Sequence, residues 1–503
     1  MIGVGATSAR RGSLWWLWLG VWLAYLLTAG GTLATTDASA TFALARSIAD
    51  HGRVDVPRDL SLDTWRGTDG RYYLPFGIGQ ALYDIPFLVV GRMVLDAAGV
   101  PAARQEPFLK AGVALASTLS ASLCVVATAA LAWRFCRDRR AAFVAGLIAA
   151  FATPLWPYAK FGFSAPLVAA TLAGGVHGMA AGVQDERPHW VLAGGALLGA
   201  ALLVRHEAVL AAGAALAWLA FQPGAWRMRV RRVATASIGP AVAALGSVAY
   251  NVARFGDPLR TGHTPDVTWR GAWGLVASPS GSILVFAPFA AVGVVALASG
   301  MRRRQPLAWL VACVAGALVL FYASLDDYLG TRSYGPRYLV PLVPLVVAST
   351  AAWAGPGTSH AWRKRAMLAV AWVSLLVQVP AVLVDFSRAG IAAGRPAAAM
   401  RVTAWRWSPL WITTRAATRA VPENLRYLTG LEQRPRIDRG MGDGSLAAGV
   451  SFSLDFWWLY AWYLGLISRA TALAIATALA AASAACLALG WHSTAVSVGA
   501  VPG

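Results

Sequence analysis

Apolar runs of membrane length recur from one end of this chain to the other. They fall at roughly 14–34, 75–98, 108–133, 140–157, 164–183, 189–204, 207–221, 233–251, 279–300, 306–323, 338–354, 367–386 and 470–490. About 20 consecutive apolar residues let a helix cross a bilayer, and a helix satisfies all its backbone polar groups within itself there. The 503 residues are 57% apolar and 13% charged, with a mean hydropathy of +0.56. That composition excludes a soluble multidomain protein and predicts an all-α polytopic membrane protein.

The net charge of +20 comes from 43 Lys+Arg against 23 Asp+Glu. The arginines gather in short clusters between apolar runs, as cytoplasmic loops do, so nucleic-acid binding is not the reading. The clusters are Arg134/Arg137/Arg139/Arg140, Arg227/Arg229/Arg231/Arg232, Arg302/Arg303/Arg304 and Arg363/Lys364/Arg365. Successive clusters are separated by four, two and two apolar runs, so all four can share one face. Segment 75–98 breaks the parity with Arg10 and Arg11. It carries Asp84, Arg92 and Asp96 and is interrupted by Pro75, Gly77, Gly79 and Pro86. Each such charge costs about 2.5–3.5 kcal/mol at a bilayer centre. The segment is therefore read as juxtamembrane or re-entrant, on the outer face. The expectation is about 12 transmembrane helices (11–13), plus amphipathic helices in the first external loop, with both termini cytoplasmic.

Three regions follow: a transmembrane core over 1–386 with its first external loop at 35–107, a long external loop at 387–456, and a C-terminal segment and tail at 457–503. Within the second, PENLRYLTGLEQRPRIDRGMGDGS is the one extended polar stretch, too short and broken to be read as a domain. Cys124, Cys136, Cys313 and Cys486 lie in or at the ends of apolar segments, with no CxxC spacing, so neither a metal site nor a disulfide framework is indicated. The first apolar run exceeds a signal-peptide core and is read as an uncleaved helix.

Several ionisable residues collect on the predicted outer face. Asp37 follows the first span. It is either the solvated N-cap of a helix Ala38–Asp50 or a general base for an acceptor hydroxyl. Lys160, in Tyr158-Ala-Lys160, is a snorkelling anchor or a substrate contact. Arg205-His206-Glu207 interrupts two apolar runs; Arg205 either pairs with Glu207 or holds an anionic head group. His263 lies in the loop after Tyr250–Pro258, without HxH or HxxxH spacing that would make it a metal ligand. Ser333-Tyr334-Gly335-Pro336-Arg337-Tyr338 opens a span. Arg337 there suits bidentate phosphate binding, unless it only snorkels beside belt tyrosines. No Walker loop, GxSxG, HExxH or Rossmann glycine pattern occurs in a fitting context.

Taken in order, these pieces resemble a family. After Asp37 come GRYYLPFGIGQALYDIPF, TPLWPYAKFGFSAPL, LLVRHEAVLAAG, YNVARFGDPLRTGH, SPSGSILVFAP and YGPRYLVPLVPL. The succession resembles the bacterial membrane glycosyltransferases of the GT-C superfamily, related to protein O-mannosyltransferases and the lipid A aminoarabinose transferase. It runs from about residue 14 to 345 and returns weakly at TAWRWSPLW and LDFWWL. The resemblance implies a polyprenyl-phosphate-sugar donor, a glycan, lipid or protein acceptor, and transfer on the external face of a bacterial cytoplasmic membrane. It implies Asp37 as the catalytic aspartate, and Arg337, Arg205, Lys160, Tyr338, His263, Tyr72 and Tyr73 as substrate contacts. Two departures stand out. Many relatives carry paired acids where this chain has Asp37-Ala38, and an acid near Ser164-Ala165-Pro166. No cofactor is implied, and a divalent metal finds no supporting residue pattern.

The chemistry suits this residue set. A phosphate leaving group departs without a strong general acid, unlike the alcohol of a glycosidase, which calls for two carboxylates. One base plus cations on the phosphate suffices, which predicts a single displacement with inversion. A flippase for lipid-linked glycans is the main rival, and would show inverted repeats or midplane charges. A non-catalytic membrane paralogue is the third reading.

Overall fold

A computed structural model describes residues 3–33, 35–58, 64–261, 270–325, 330, 333–354, 361–395, 404–434 and 453–495. The chain is an all-α polytopic membrane protein. Its main helices are α1 (Gly3–Thr28), α2 (Thr36–His51), α3 (Gly79–Ala97), α4 (Glu106–Cys136), α5 (Arg139–Phe151), α6 (Ser164–Gln184), α7 (Pro188–Val204), α8 (Ala208–Ala220) and α9 (Trp226–Phe255). There follow α10 (Pro288–Arg302), α11 (Pro306–Ala323), α12 (Val343–Ser349), α13 (Ala361–Leu383), α14 (Pro409–Thr429), α15 (Trp457–Tyr463) and α16 (Arg469–Ala495). Among the described residues seven helices are long and apolar enough to cross a membrane, counting α12 with the turns on either side of it, and four shorter apolar helices accompany them.

Small residues set how closely the helices approach. A Cβ on Gly178 would lie 2.7 Å from Gly194 Cα, which locks α6 to α7. Gly195 and Gly199 of α7 meet the backbone of Ala236 and Gly239 on α9. Gly20 of α1 takes Leu487 of α16, while Trp16 lies beside Gly490, so these two helices run antiparallel. The N-terminus of α1 and the C-terminus of α16 therefore share one end of the bundle. Arg140 packs over Trp491 at that same end (5.8 Å). Each of the other three basic clusters lies at the end of α9, α10 or α13 remote from Asp37.

The first external loop folds on itself. α2 and α3 pack together around Ala40, Leu44, Ala45, Val56, Leu74 and Ala81. Between them a two-stranded antiparallel ribbon pairs β1 (Trp65–Arg66) with β2 (Tyr72–Tyr73), the one β-sheet among the described residues. α3 occupies most of segment 75–98 and is absent from the membrane-length apolar set. It buries Gln80, Ala81, Asp84 and Leu88, and Asp84 accepts from the Gln80 amide at 2.8 Å. Within 387–456 the chain forms α14, which packs on α13. The polar stretch of that loop lies outside the described residues from 435 onward. All four cysteines are free.

Candidate active site

Asp37 stands in the first turn of α2 but does not cap it. Thr35, in extended conformation, accepts the Ala38 amide through its hydroxyl at 3.2 Å. The alternative of a cap at Asp37, with the helix starting at Ala38, is thus corrected. Thr35 takes the orphan N–H of the first turn, the helix begins at Thr36, and the Asp37 carboxylate is released sideways.

That carboxylate meets Arg337, with Oδ2 2.6 Å from Nη1. Arg337 opens a 3-10 turn, Arg337–Leu342, in which Pro341 withholds an amide and delays the α-helix until Val343. The Asp37 side chain is 36% exposed and that of Arg337 is 10% exposed, so the carboxylate faces open space with the guanidinium behind it.

A second guanidinium lies alongside. Arg205 is the extended residue ending α7, and its Cζ lies 5.4 Å over the Tyr338 ring. Arg337 Cζ lies 5.2 Å from that same ring. Tyr322 stacks on Tyr338 at 5.1 Å and 12°, and donates its hydroxyl to Glu207 Oε1 at 2.9 Å. The Arg205–Glu207 pairing considered from sequence does not form, because Glu207 turns to Tyr322 and Arg205 to Ser164 Oγ (3.3 Å). Nη1 of Arg205 and Nε of Arg337 are buried with no hydrogen-bond partner among the described residues. A buried, unmade N–H bond costs about 1–3 kcal/mol, so both groups favour an incoming anion.

Lys160 goes elsewhere. It is 1% exposed and pairs with Asp455, 0% exposed, at 3.0 Å, while also donating to the Val382 carbonyl. A snorkelling role is thereby corrected, since its ammonium never reaches the surface. Tyr460 donates to Asp455 at 2.8 Å, and Arg388 pairs with Asp385 at 3.2 Å close by. Burial pulls the Lys160 ammonium down from its usual range, and Asp455 opposes it.

Tyr72 and Tyr73 sit in the ribbon. Val56 N–H donates to the Tyr72 carbonyl at 2.9 Å, and Tyr73 donates to Asp69 at 2.7 Å with its ring edge-on to Phe255. The ribbon is stapled down by Arg254, near the end of α9. Fully buried, Arg254 donates to the Leu74 carbonyl and to Asn251 Oδ1 (2.6 Å), and its own carbonyl accepts from Thr68 N–H. Gly77 and Gly79 continue the contact onto Leu203 and Val204, directly before Arg205. Sequence reasoning missed Arg395: burial pulls its guanidinium down to about 10, opposed by nearby Tyr158. His263, Arg332, Asp326 and Asp327 lie outside the described residues. Among the described residues no three His, Cys, Asp or Glu side chains converge.

Residues 108–250 match the model of the dolichyl-phosphate-mannose-protein mannosyltransferase family. Over that stretch the chain is similar to membrane mannosyltransferases of this family. The matched stretch contains Lys160 and Arg205, while Asp37 and Arg337 flank it. Similar solved structures include ArnT from Cupriavidus metallidurans bound to undecaprenyl phosphate, at 18% identity and a TM-score of 0.45, over 98% of this chain and 78% of that one. The oligosaccharyltransferase of Archaeoglobus fulgidus is similar at 13% identity and a TM-score of 0.45, over 88% of this chain and 60% of that one. No curated protein sequence matches.

Proposed function

We infer that this protein is a membrane glycosyltransferase that moves a sugar from a polyprenyl-phosphate donor to an acceptor hydroxyl at the external end of the bundle, by a single inverting displacement with Asp37 as base. The observation that carries the reading is the joining of Asp37 to Arg337 at 2.6 Å, with Arg205 sharing the Tyr338 ring. The matched family, named for a dolichyl-phosphate-linked sugar, supports a lipid-linked donor.

In the reaction the acceptor oxygen attacks the anomeric carbon as its proton passes to the Asp37 carboxylate. The bond from that carbon to the phosphate oxygen breaks, and its electron pair leaves with the polyprenyl phosphate. Arg205 and Arg337 offset the phosphate charge through the N–H groups that lack partners. A single carboxylate performs the proton transfer, so the unpaired Asp37-Ala38 sequence is sufficient. External placement is supported by the basic clusters, which lie at the opposite end of the bundle.

The test is Asp37→Asn in purified, membrane-reconstituted protein. Transfer to acceptor is expected to fall by about 10²–10⁴-fold while insertion and donor binding persist. Unchanged product formation removes Asp37 from the mechanism, and an unchanged anomeric configuration in the product removes the single displacement.

A further inference from the structure

The backbones of α7 and α9 approach closely at Gly195/Ala236 and Gly199/Gly239, and nearer their N-termini, at the end of the bundle remote from Asp37, both helices line a cavity. The cavity, of about 210 Å³, is lined by Glu186, Pro188, Val191, Met228, Arg231 and Arg232, among others. It lies outside the site already described: α7 carries Pro188 at this end and Arg205 at the other.

The electrostatics of this cavity are uncompensated. Arg227, Arg229, Arg231 and Arg232 crowd the start of α9, whose first turn has no acidic residue. That is the positive end of the helix dipole, where cations are disfavoured and an anion is stabilised. The neighbouring carboxylate Asp185 is already spent on Arg134, in a two-pronged pair with both contacts at 2.6 Å. Glu186 is left as the one carboxylate in the cavity wall, and neither Arg231 nor Arg232 has an ion-pair partner among the described residues.

A stripe leads away from the cavity. Met228, Arg231, Thr235, Ile238, Val242 and Leu245 recur at three- and four-residue spacing and so share one face of α9. The first three lie at the cavity. Ile238, Val242 and Leu245 are 53%, 65% and 70% exposed along the outer surface of a helix long and apolar enough to cross a membrane. Guanidiniums at interfacial depth with a continuous apolar track toward the bilayer centre match an anionic head group with its acyl chain, and not a free anion.

We propose that this cavity is a binding site for an anionic phospholipid of the leaflet remote from Asp37, with its phosphodiester held by Arg231 and Arg232 and one acyl chain lying along Ile238, Val242 and Leu245. The site is built from α6, α7 and α9, and its occupancy ties the N-terminal ends of α7 and α9 together.

The test uses the full chain in mixed micelles of phosphatidylglycerol and phosphatidylcholine, with retained lipid counted by native mass spectrometry. The wild type is expected to retain phosphatidylglycerol over phosphatidylcholine. Arg231→Gln with Arg232→Gln is expected to lower that retention roughly tenfold or more. Arg302→Gln with Arg303→Gln removes the same charge at the same end of the bundle, away from the cavity, and is expected to leave retention unchanged. Thr235→Trp fills the cavity without altering charge and is expected to reproduce the loss, which keeps the test decisive should the double arginine variant not fold. Equal losses from both arginine pairs mean diffuse attraction to the surface and overturn the site. Full retention in Thr235→Trp, or equal binding of both lipids by the wild type, overturns it as well.

Discussion

Asp37 and Arg337 are 300 positions apart in sequence and 2.6 Å apart in space. One sits in the first turn after the opening span, the other at the start of a late one, with the Tyr338 ring beside the Arg337 guanidinium. The two side chains have different duties, and kinetics separates them. Arg337→Lys keeps the charge but loses the planar fork, so the Michaelis constant for donor is expected to rise about tenfold or more. Asp37→Asn is expected to lower kcat with little change in that constant. Steady-state rates against donor concentration check both, and a pure kcat effect in Arg337→Lys contradicts phosphate binding there.

Sequence pattern carried the architecture well, for a physical reason. Bilayer thickness and the cost of buried charge act on each segment separately, so apolar length and arginine parity are local signals. The same logic sets α3, through Asp84, Arg92 and Asp96, apart from the helices long and apolar enough to cross a membrane. Arg337 and Asp37 were legible as types at exposed ends, yet their contact was not, since nothing in either neighbourhood encodes a partner 300 residues away. Lys160 was misjudged for the same reason. Its partner Asp455 lies in LDFWWL, where a lone acid between aromatic residues gives no indication of the buried cation it meets. Thr35 is the opposite case. A threonine ahead of a helical run is a plain capping signal, and Asp37 two residues later drew the attention.

That distinction between cap and base is measurable. Thr35→Ala removes the acceptor of the Ala38 amide and is expected to cost about 0.5–2 kcal/mol of stability, with transfer falling only as the start of α2 frays. Asp37→Asn leaves the cap in place and is expected to shift the melting temperature little. Thermal unfolding of both variants in detergent decides the matter, and a larger loss in Asp37→Asn than in Thr35→Ala contradicts the assignment of the cap.

The buried Lys160–Asp455 pair makes a stability prediction in place of a substrate-binding one. Lys160→Met strands Asp455 in the interior and is expected to cost about 3–5 kcal/mol. Lys160→Met with Asp455→Leu removes both charges and is expected to recover much of that loss. Donor affinity in the folded fraction is expected to stay near wild type, as measured by equilibrium binding of polyprenyl phosphate. A specific loss of donor binding in the double variant returns Lys160 to the substrate site.

Arg254 is the remaining control point, because it decides where the first external loop sits. Its guanidinium satisfies the Leu74 carbonyl and Asn251 and lies 3.5 Å from the centre of the Tyr250 ring, so the ribbon β1–β2 is pinned to the end of α9. From that pin the chain runs through Gly77 and Gly79 against Leu203 and Val204, which fixes the approach to Arg205. Arg254→Met leaves the Leu74 carbonyl and the Asn251 side-chain oxygen, both buried, without their donor, a cost of about 1–3 kcal/mol for each group. That penalty falls mainly on the loop, because the Leu74 and Thr68 contacts are the ones that join the loop to the end of α9. Limited proteolysis is therefore expected to accelerate cleavage between residues 52 and 78 while α4, α6 and α7 stay protected, and transfer is expected to fall in step with loop opening. Arg254→Lys can still reach the Leu74 carbonyl and is expected to restore part of both. Cleavage that spreads evenly through the helices would show that Arg254 supports the bundle as a whole and not the loop.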